Sequence, residues 1–254
     1  MPDYRDIVRA RIAPTPSGYL HEGNAANALL TSWWARARGG TVVLRIDDAD
    51  PDRSKDAFVA DILDVLAWVD VHVDEGPGTV ADLHDTWSQR LRTHRYREAA
   101  LALAADGRAF ACTCPRGTRD CTCRQRTGEW QPGVNALRWN RPDADDPVLW
   151  RRDDVPAYHL TSVVDDDLWA IDHVVRGKDL EASTTLQRDL ATELGLAFPG
   201  SIVHHPLAMT PDGDKLSKST LARGPMPRTD EVRAHIIALA HEWAEAVGIP
   251  APRT

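Results

Sequence analysis

Within the first fifty residues a β-prone run, a glycine-bearing turn, a helix and a second β-branched run follow one another. Residues 7–12 are closed off by Pro14 and Pro16, and residues 15–24 carry Gly18 and Gly23 among small polar side chains, which suits a turn. Residues 25–38 are rich in Ala, Leu and Trp and stop at Gly39-Gly40, as a helix does. Residues 41–46 are apolar and β-branched and run straight into Asp47-Asp48. A strand–helix–strand unit of this kind crosses over right-handed and makes its two strands parallel. Parallel sheets are covered on both faces, so this opening commits the chain to a layered α/β fold.

The remaining pattern is consistent with that. Helical periodicity returns over 56–68 and 83–105, and again over 181–194 and 229–247. Residues 158–164, 173–175 and 201–209 look like strands, and 210–220 is a polar loop. Strands alternating with helices predict a Rossmann-like, doubly wound parallel sheet. Residues 112–147 show little regular pattern, which predicts an insert. The expected organisation is a first half of the core over 1–108, an insert over 109–150, and a second half over 151–254.

With 43% hydrophobic residues in 254, the chain can bury one large core. No stretch approaches the roughly 20 apolar residues of a membrane span, and the start is charged from its third residue. A cytoplasmic protein without a membrane partner is expected. The net charge of −8 argues against a uniformly basic nucleic-acid-binding surface but leaves room for a local patch. Arg116, Arg119, Arg124 and Arg126, with Trp130 nearby, are candidates for such a patch, and read equally as solvated loop charges. Trp33, Trp34 and Trp68 fall on helical faces and read as core.

All four cysteines, Cys112, Cys114, Cys121 and Cys123, lie within twelve positions. A disulfide-stapled secreted domain spreads its cysteines, whereas a cluster in a cytosolic chain reads as a metal site. Four thiolates close a tetrahedral structural Zn²⁺ site and leave no open position for catalysis. C-x-C is tighter than the common C-x-x-C, and four reduced thiols are the alternative.

Two loops carry candidate chemistry. PSGYLHEGN, residues 16–24, lies at a helix start, where unpaired N–H groups favour phosphate. There Gly23 allows close backbone approach, His21 can donate to a phosphate oxygen, and Asn24 is a weaker polar helper. DGDKLSKS, residues 212–219, brackets Ser217 with Lys215 and Lys218, cations suited to charge building on a departing pyrophosphate. Taken singly, each loop is also an ordinary polar surface turn.

Together the two loops resemble the HIGH-type and KMSKS-type signatures of class I aminoacyl-tRNA synthetases, in their glutamyl form. The likeness extends through RIAPTPSGYLHEGN, VVLRIDDADPDRS, VDEGP, WSQRLRTHRYREA, AYHLTSVVDD, HVVRGKDLEASTTLQ and HHPLAMTPDGDKLSKS, in the family's order, over most of residues 9–220. This implies an ATP-dependent ligase that activates glutamate as glutamyl-adenylate, with Mg²⁺ accompanying ATP. By position it implies Arg11, Tyr158 and Arg176 as the grip on the amino acid, with Thr15 beside it. Asp47 falls where glutamyl members carry Glu and glutaminyl relatives carry Asp, as the anion for the substrate ammonium. His21, Gly23, Lys215 and Lys218 fall to ATP, with Asn24, Gly177, His205 and Ser217 near the nucleotide. Asp165–Asp167 correspond to a structural turn rather than magnesium ligands. The family's zinc pattern is C-x-C followed by Tyr and Cys; Arg119 occupies the tyrosine position, and Cys121 is the replacement.

The sequence ends about 35 residues past the second loop, where glutamyl-tRNA synthetases continue into an anticodon-binding region. The size resembles the stand-alone glutamyl-Q-tRNA(Asp) synthetases, which attach glutamate to queuosine of tRNA(Asp). Between Cys123 and Tyr158 the chain is shorter than the family pattern, in the part that helps hold the acceptor. Two alternatives therefore stand beside tRNA(Asp): a ligase repurposed for a non-tRNA acceptor, and a non-catalytic synthetase-like binding module. Intact Arg11, His21, Lys215 and Lys218 argue against the last.

Overall fold

The computed structural model describes residues 8–115, 118, 121–125, 128–141, 146–208 and 224–252. Its centre is a four-stranded sheet of order β2-β1-β6-β7, in which every neighbouring pair is parallel. The strands are β1 (Arg9–Ile12), β2 (Thr41–Leu44), β6 (His173–Gly177) and β7 (Ser201–His205). The 15-residue helix α1 (Glu22–Arg36) joins β1 to β2, completing the crossover that the sequence announces. It starts earlier than residue 25 because His21 is the extended residue before it, and Asn24 Oδ1 accepts from the His21 N–H at 3.3 Å. Gly40 is required where the chain returns: a Cβ there would sit 2.5 Å from the Val8 carbonyl oxygen.

Helices α1, α2 (Asp56–Trp68) and α7 (Asp230–Val247) pack with the sheet into one apolar cluster, with Leu30, Leu44, Ile46, Ile62 and Trp243 buried at its heart. Trp34 lies in that cluster, and Trp33 and Trp68 pack against it, as their helical faces predict.

A second cluster is built by α4 (Thr93–Ala105), α5 (Tyr158–Leu168), α6 (Glu181–Leu194) and an antiparallel sheet of β3 (Ala109–Cys112), β4 (Ala136–Trp139) and β5 (Val148–Trp150). The sequence did not reveal β4 and β5 in the expected insert: both are short, and a register shift at Leu137/Arg138 breaks their alternation. Trp130 is buried here and packs edge-on against Trp150 at 5.4 Å. Arg124 is engaged by Asp146. Burial takes Trp130 out of the nucleic-acid patch considered above, Arg124 stays exposed, and Arg116, Arg119 and Arg126 lie outside the described residues.

Two expectations need correction. Residues 158–164 form the first turns of helix α5, not a strand. Leu160, Val163 and Val164 sit at helical spacing on the second cluster, a period that a seven-residue apolar run is too short to reveal. Asp165–Asp167 are therefore helical and not a turn, and Asp165 and Asp166 point inward. The helix expected over 83–105, which follows the one-turn α3 (Val80–Asp82), is broken into a π turn over Leu83–Trp87, a 3-10 turn over Gln89–Arg92, and α4. Extended Ser88 makes the break, because its hydroxyl and the next N–H both donate to buried Asp48, at 2.6 and 2.7 Å.

Candidate active site

At the carboxyl ends of β1 and β6, where a parallel sheet of this kind binds its ligands, lies a cleft of about 250 Å³. Arg11, His21, Gly23, Asn24, Arg176 and His205 line it, and so do Gly177 and Tyr158. The glycines leave room where a side chain would crowd the cleft. A Cβ at Gly23 would come within 3.1 Å of Ala208 Cβ and 3.2 Å of the His21 ring, and one at Gly177 within 2.5 Å of Asp179 Oδ1. The His205 imidazole donates from Nδ1 to the Pro206 carbonyl at 2.6 Å, and burial pushes its pKa below the ordinary histidine value. It is held neutral, as a shaped polar wall rather than a cation.

A second, larger cavity of about 770 Å³ opens on the other side of Tyr158. Thr15 and Asp47 line it, with Gln89, Arg138, Arg152 and Cys114. The candidate amino-acid residues are thus divided: Arg11 and Arg176 face the first cavity, Thr15 and Asp47 the second, and Tyr158 faces both. Lys215, Ser217 and Lys218 lie outside the described residues.

Behind these groups runs a buried ionic network that motif reading missed. Arg11 donates from Nε to Asp166 at 2.9 Å. Arg45, with no exposed surface, donates from Nη1 to Asp166 at 2.6 Å and from Nε to Asp47 at 2.6 Å. Asp165 receives Arg92, Gln89 and the Tyr96 hydroxyl. Burial alone would raise the Asp166 pKa, but the Arg11 and Arg45 guanidiniums outweigh it and hold the carboxyl below its ordinary range. For Asp47 burial wins over Arg45, and its pKa is pushed up. The sequence signal for part of this network is the placing of Arg11, Arg45 and Asp47 within or at the end of apolar β-prone runs.

Arg176 differs from the other arginines. It donates from Nη1 to Gln187 Oε1 at 2.8 Å, and among the described residues no carboxylate stands at ion-pair distance. Its Nε is buried without a partner, and burial together with neighbouring Arg11 lowers its pKa. Four buried or nearly buried guanidiniums, of Arg11, Arg45, Arg92 and Arg176, face the three carboxylates of Asp47, Asp165 and Asp166. Asp179 also lines the first cleft, and Arg176 alone of these four guanidiniums has no carboxylate at ion-pair distance among the described residues. A cation left that way in a low dielectric is costly unless an anion joins it.

The four cysteine sulfurs lie within 4.8 Å of one another, with contacts of 3.5 and 3.6 Å. Zinc–sulfur bonds of about 2.3 Å at tetrahedral angles put sulfurs roughly 3.8 Å apart, so the cluster fits a closed four-thiolate zinc site. Arg138 Nε donates to Cys112 Sγ at 3.2 Å, a cation placed to offset thiolate charge. Among the described residues, no helix is long and apolar enough to cross a membrane.

Comparison with known proteins bears directly on this geometry. The family "tRNA synthetases class I (E and Q), catalytic domain" matches residues 7–126 and 133–225. The glutamate–tRNA ligase of Myxococcus xanthus is 36% identical over 252 residues, covering 83% of this chain and 52% of that protein. Glutamate–tRNA ligase 2 of Koribacter versatilis is 33% identical over 266 residues, covering 88% and 53%. The chain spans about half the length of the curated relatives it matches. In fold it is similar to a glutamate–tRNA ligase from Elizabethkingia meningosepticum, with a TM-score of 0.68 at 23% identity over 87% of this chain and 53% of that one. It is also similar to Mycobacterium tuberculosis methionyl-tRNA synthetase, with a TM-score of 0.58 at 13% identity over 96% and 62%. With the parallel sheet, the glycine-lined cleft and this family match in agreement, the chain belongs to the class I aminoacyl-tRNA synthetases of the glutamyl and glutaminyl type.

Proposed function

We propose that this chain activates glutamate with ATP, forming glutamyl-adenylate and pyrophosphate, and passes the glutamyl group to an acceptor that enters through the larger cavity. The observation that carries this reading is the unmatched Arg176 beside Arg11 and Tyr158, at the cleft of the 16–24 loop. Glutamate carries a second carboxylate that glutamine lacks, and Arg176 has no carboxylate at ion-pair distance among the described residues. Paired N–H donors of a guanidinium suit a carboxylate.

The α-carboxylate of glutamate attacks the α-phosphorus of ATP, the bond to the β-phosphate breaks, and pyrophosphate leaves. His21 and the glycine-lined backbone receive the nucleotide, with Asn24, Gly177 and His205 around it. Lys215, Ser217 and Lys218 take the phosphates, with Mg²⁺ as counter-ion. Positioning and charge stabilisation suffice, and no covalent enzyme nucleophile takes part. Thr15 and Asp47 receive the ammonium end. Zn²⁺ on the four cysteines would hold the 109–150 insert between the two halves of the core.

For the acceptor, queuosine of tRNA(Asp) is the preferred reading, and the family match supports a tRNA acceptor in general. A non-tRNA acceptor is the second reading. It is favoured by the burial of Trp130, which removes one of the five residues considered for an RNA patch. Amino-acid-dependent ATP–pyrophosphate exchange across all twenty amino acids, without and with tRNA, tests the first step. Exchange with glutamate alone supports the reading; no exchange under any condition refutes it. Transfer of labelled glutamate to queuosine-containing tRNA(Asp), compared with tRNA(Asp) lacking the modification, decides between the acceptors.

A further inference from the structure

Tyr158, Ser162 and Asp166 stand at i, i+4 and i+8 on α5, so they form one column of side chains along a single face of the helix. Tyr158 heads the column, in the wall between the two cavities. Asp166 is at its foot, 4% exposed, and its carboxylate is divided between two arginines. Arg11 approaches through Nε at 2.9 Å and Nη2 at 3.4 Å. Arg45 approaches through Nη1 at 2.6 Å. The other edge of Arg45 grips Asp47, Nε at 2.6 Å and Nη2 at 3.3 Å, and Ser162 Oγ accepts from Nη2 at 3.1 Å.

The two branches end on opposite sides of Tyr158. Arg11 lines the first cleft and Asp47 the second cavity. One carboxylate thus fixes a cation in one chamber and, through Arg45, an anion in the other. Neutralising Arg45 would need only one acid, and Asp47 already supplies it. A second acid shared with Arg11 therefore fixes geometry as well as charge. A guanidinium held by Nε and one Nη has a single orientation, because the plane of the group turns as a unit.

We propose that Asp166 is a positioning residue for the amino-acid site, setting the separation and orientation of Arg11 and Asp47 and hence the length of amino acid accepted between them. The proposal rests on the reading of Arg11 as the carboxylate-binding group and Asp47 as the ammonium-binding group. Asp166 touches neither substrate nor nucleotide. It acts on substrate only through the groups it holds.

The test is ATP–pyrophosphate exchange by the full chain, wild type against Asp166→Asn, with glutarate as a competitor of glutamate. Glutarate keeps both acid groups but lacks the ammonium. If the wild type does not exchange with glutamate, the underlying reading fails and the variant is not at issue. Given wild-type exchange, Asp166→Asn raises the glutamate KM about 30-fold, the scale of weakened charge-assisted contacts at both ends. It leaves the ATP KM within about twofold and raises the glutarate Ki by a smaller factor than the glutamate KM. An ATP KM that rises as much as the glutamate KM marks a general structural defect and overturns the proposal. An unchanged glutarate Ki overturns it as well, because Arg11 would then not depend on Asp166. Should Asp166→Asn fail to fold, Arg45→Lys retains the charge but cannot bridge Asp47 and Asp166 with a planar fork. It raises the glutamate KM about tenfold and leaves the glutarate Ki unchanged; an unaltered glutamate KM overturns the proposal.

Discussion

The imidazole of His205 lies flat on the indole of Trp243, with 3.9 Å between ring centroids and 17° between planes. His205 ends β7 and Trp243 stands on α7, so the last helix braces one wall of the first cleft. Trp243→Ala removes a fully buried indole and costs about 3–5 kcal/mol of stability. Trp243→Phe keeps an aromatic platform and costs less. Thermal denaturation checks the order. The ATP KM of the alanine variant, where it folds, is expected to rise several-fold as His205 loses its support, with a smaller rise for phenylalanine.

Arg176 gives the opposite stability sign. It is a buried cation without a carboxylate partner among the described residues, next to the cation of Arg11. Replacing it with methionine removes a buried charge that has no direct carboxylate partner among the described residues and fills similar volume, so the free protein becomes more stable. Glutamate-dependent exchange falls about 100-fold, since one or two charge-assisted bonds of about 1.5–3 kcal/mol are lost. A rise in Tm together with a loss of exchange identifies a site that trades stability for binding. A fall in both refutes this account.

Acid stability follows from the histidines. Burial lowers the pKa values of His159, His204 and His205 below the ordinary histidine value, with Arg176 adding to the effect at the first two. In the unfolded chain these rings take up protons near pH 6.5, and in the folded chain only at lower pH. Between the two values the unfolded state binds more protons, so stability rises with pH. The stability they contribute is present above about pH 6.5 and is lost as pH falls toward the folded values. Tm is expected to drop between pH 7 and 5, and less steeply in His159→Gln, where one of the three titrations is gone. A Tm flat over this window counts against the assignment.

Metal analysis of the purified chain is expected to give one zinc per chain. X-ray absorption should show four sulfur neighbours at about 2.3 Å. Cys121→Ser lowers zinc retention on dialysis against chelator, because its sulfur is one of the four that lie within 4.8 Å of one another. Retention equal to wild type shows that Cys121 is not a ligand.

The parts of the fold with local signals were legible. Helix α6 starts and stops where the sequence indicates, since Gly195 closes it in the left-handed conformation at φ 67°. The cysteines come together because their spacing is local. What the sequence concealed is long-range. Asp166 is 155 residues from Arg11, and nothing near it in the chain signals an inward carboxylate. Reading residues 158–164 as a strand hid the i, i+4, i+8 column as well, because a period of two puts Tyr158, Ser162 and Asp166 on a face with Leu160 and Val164. Ser88 broke a helix for the same kind of reason, a partner forty residues away in the sequence.

The position of Tyr158 has a consequence for how such a scaffold changes over time. One phenol ring separates the chamber that would prepare the activated amino acid from the chamber that would receive its acceptor. The far walls of the receiving chamber come from β4, β5 and the cysteine loop, none of which supplies a member of the arginine network. Residues there can drift toward a new acceptor while the chemistry across the ring stays fixed. Tyr158 itself is denied that freedom, since any substitution is felt by both half-reactions at once.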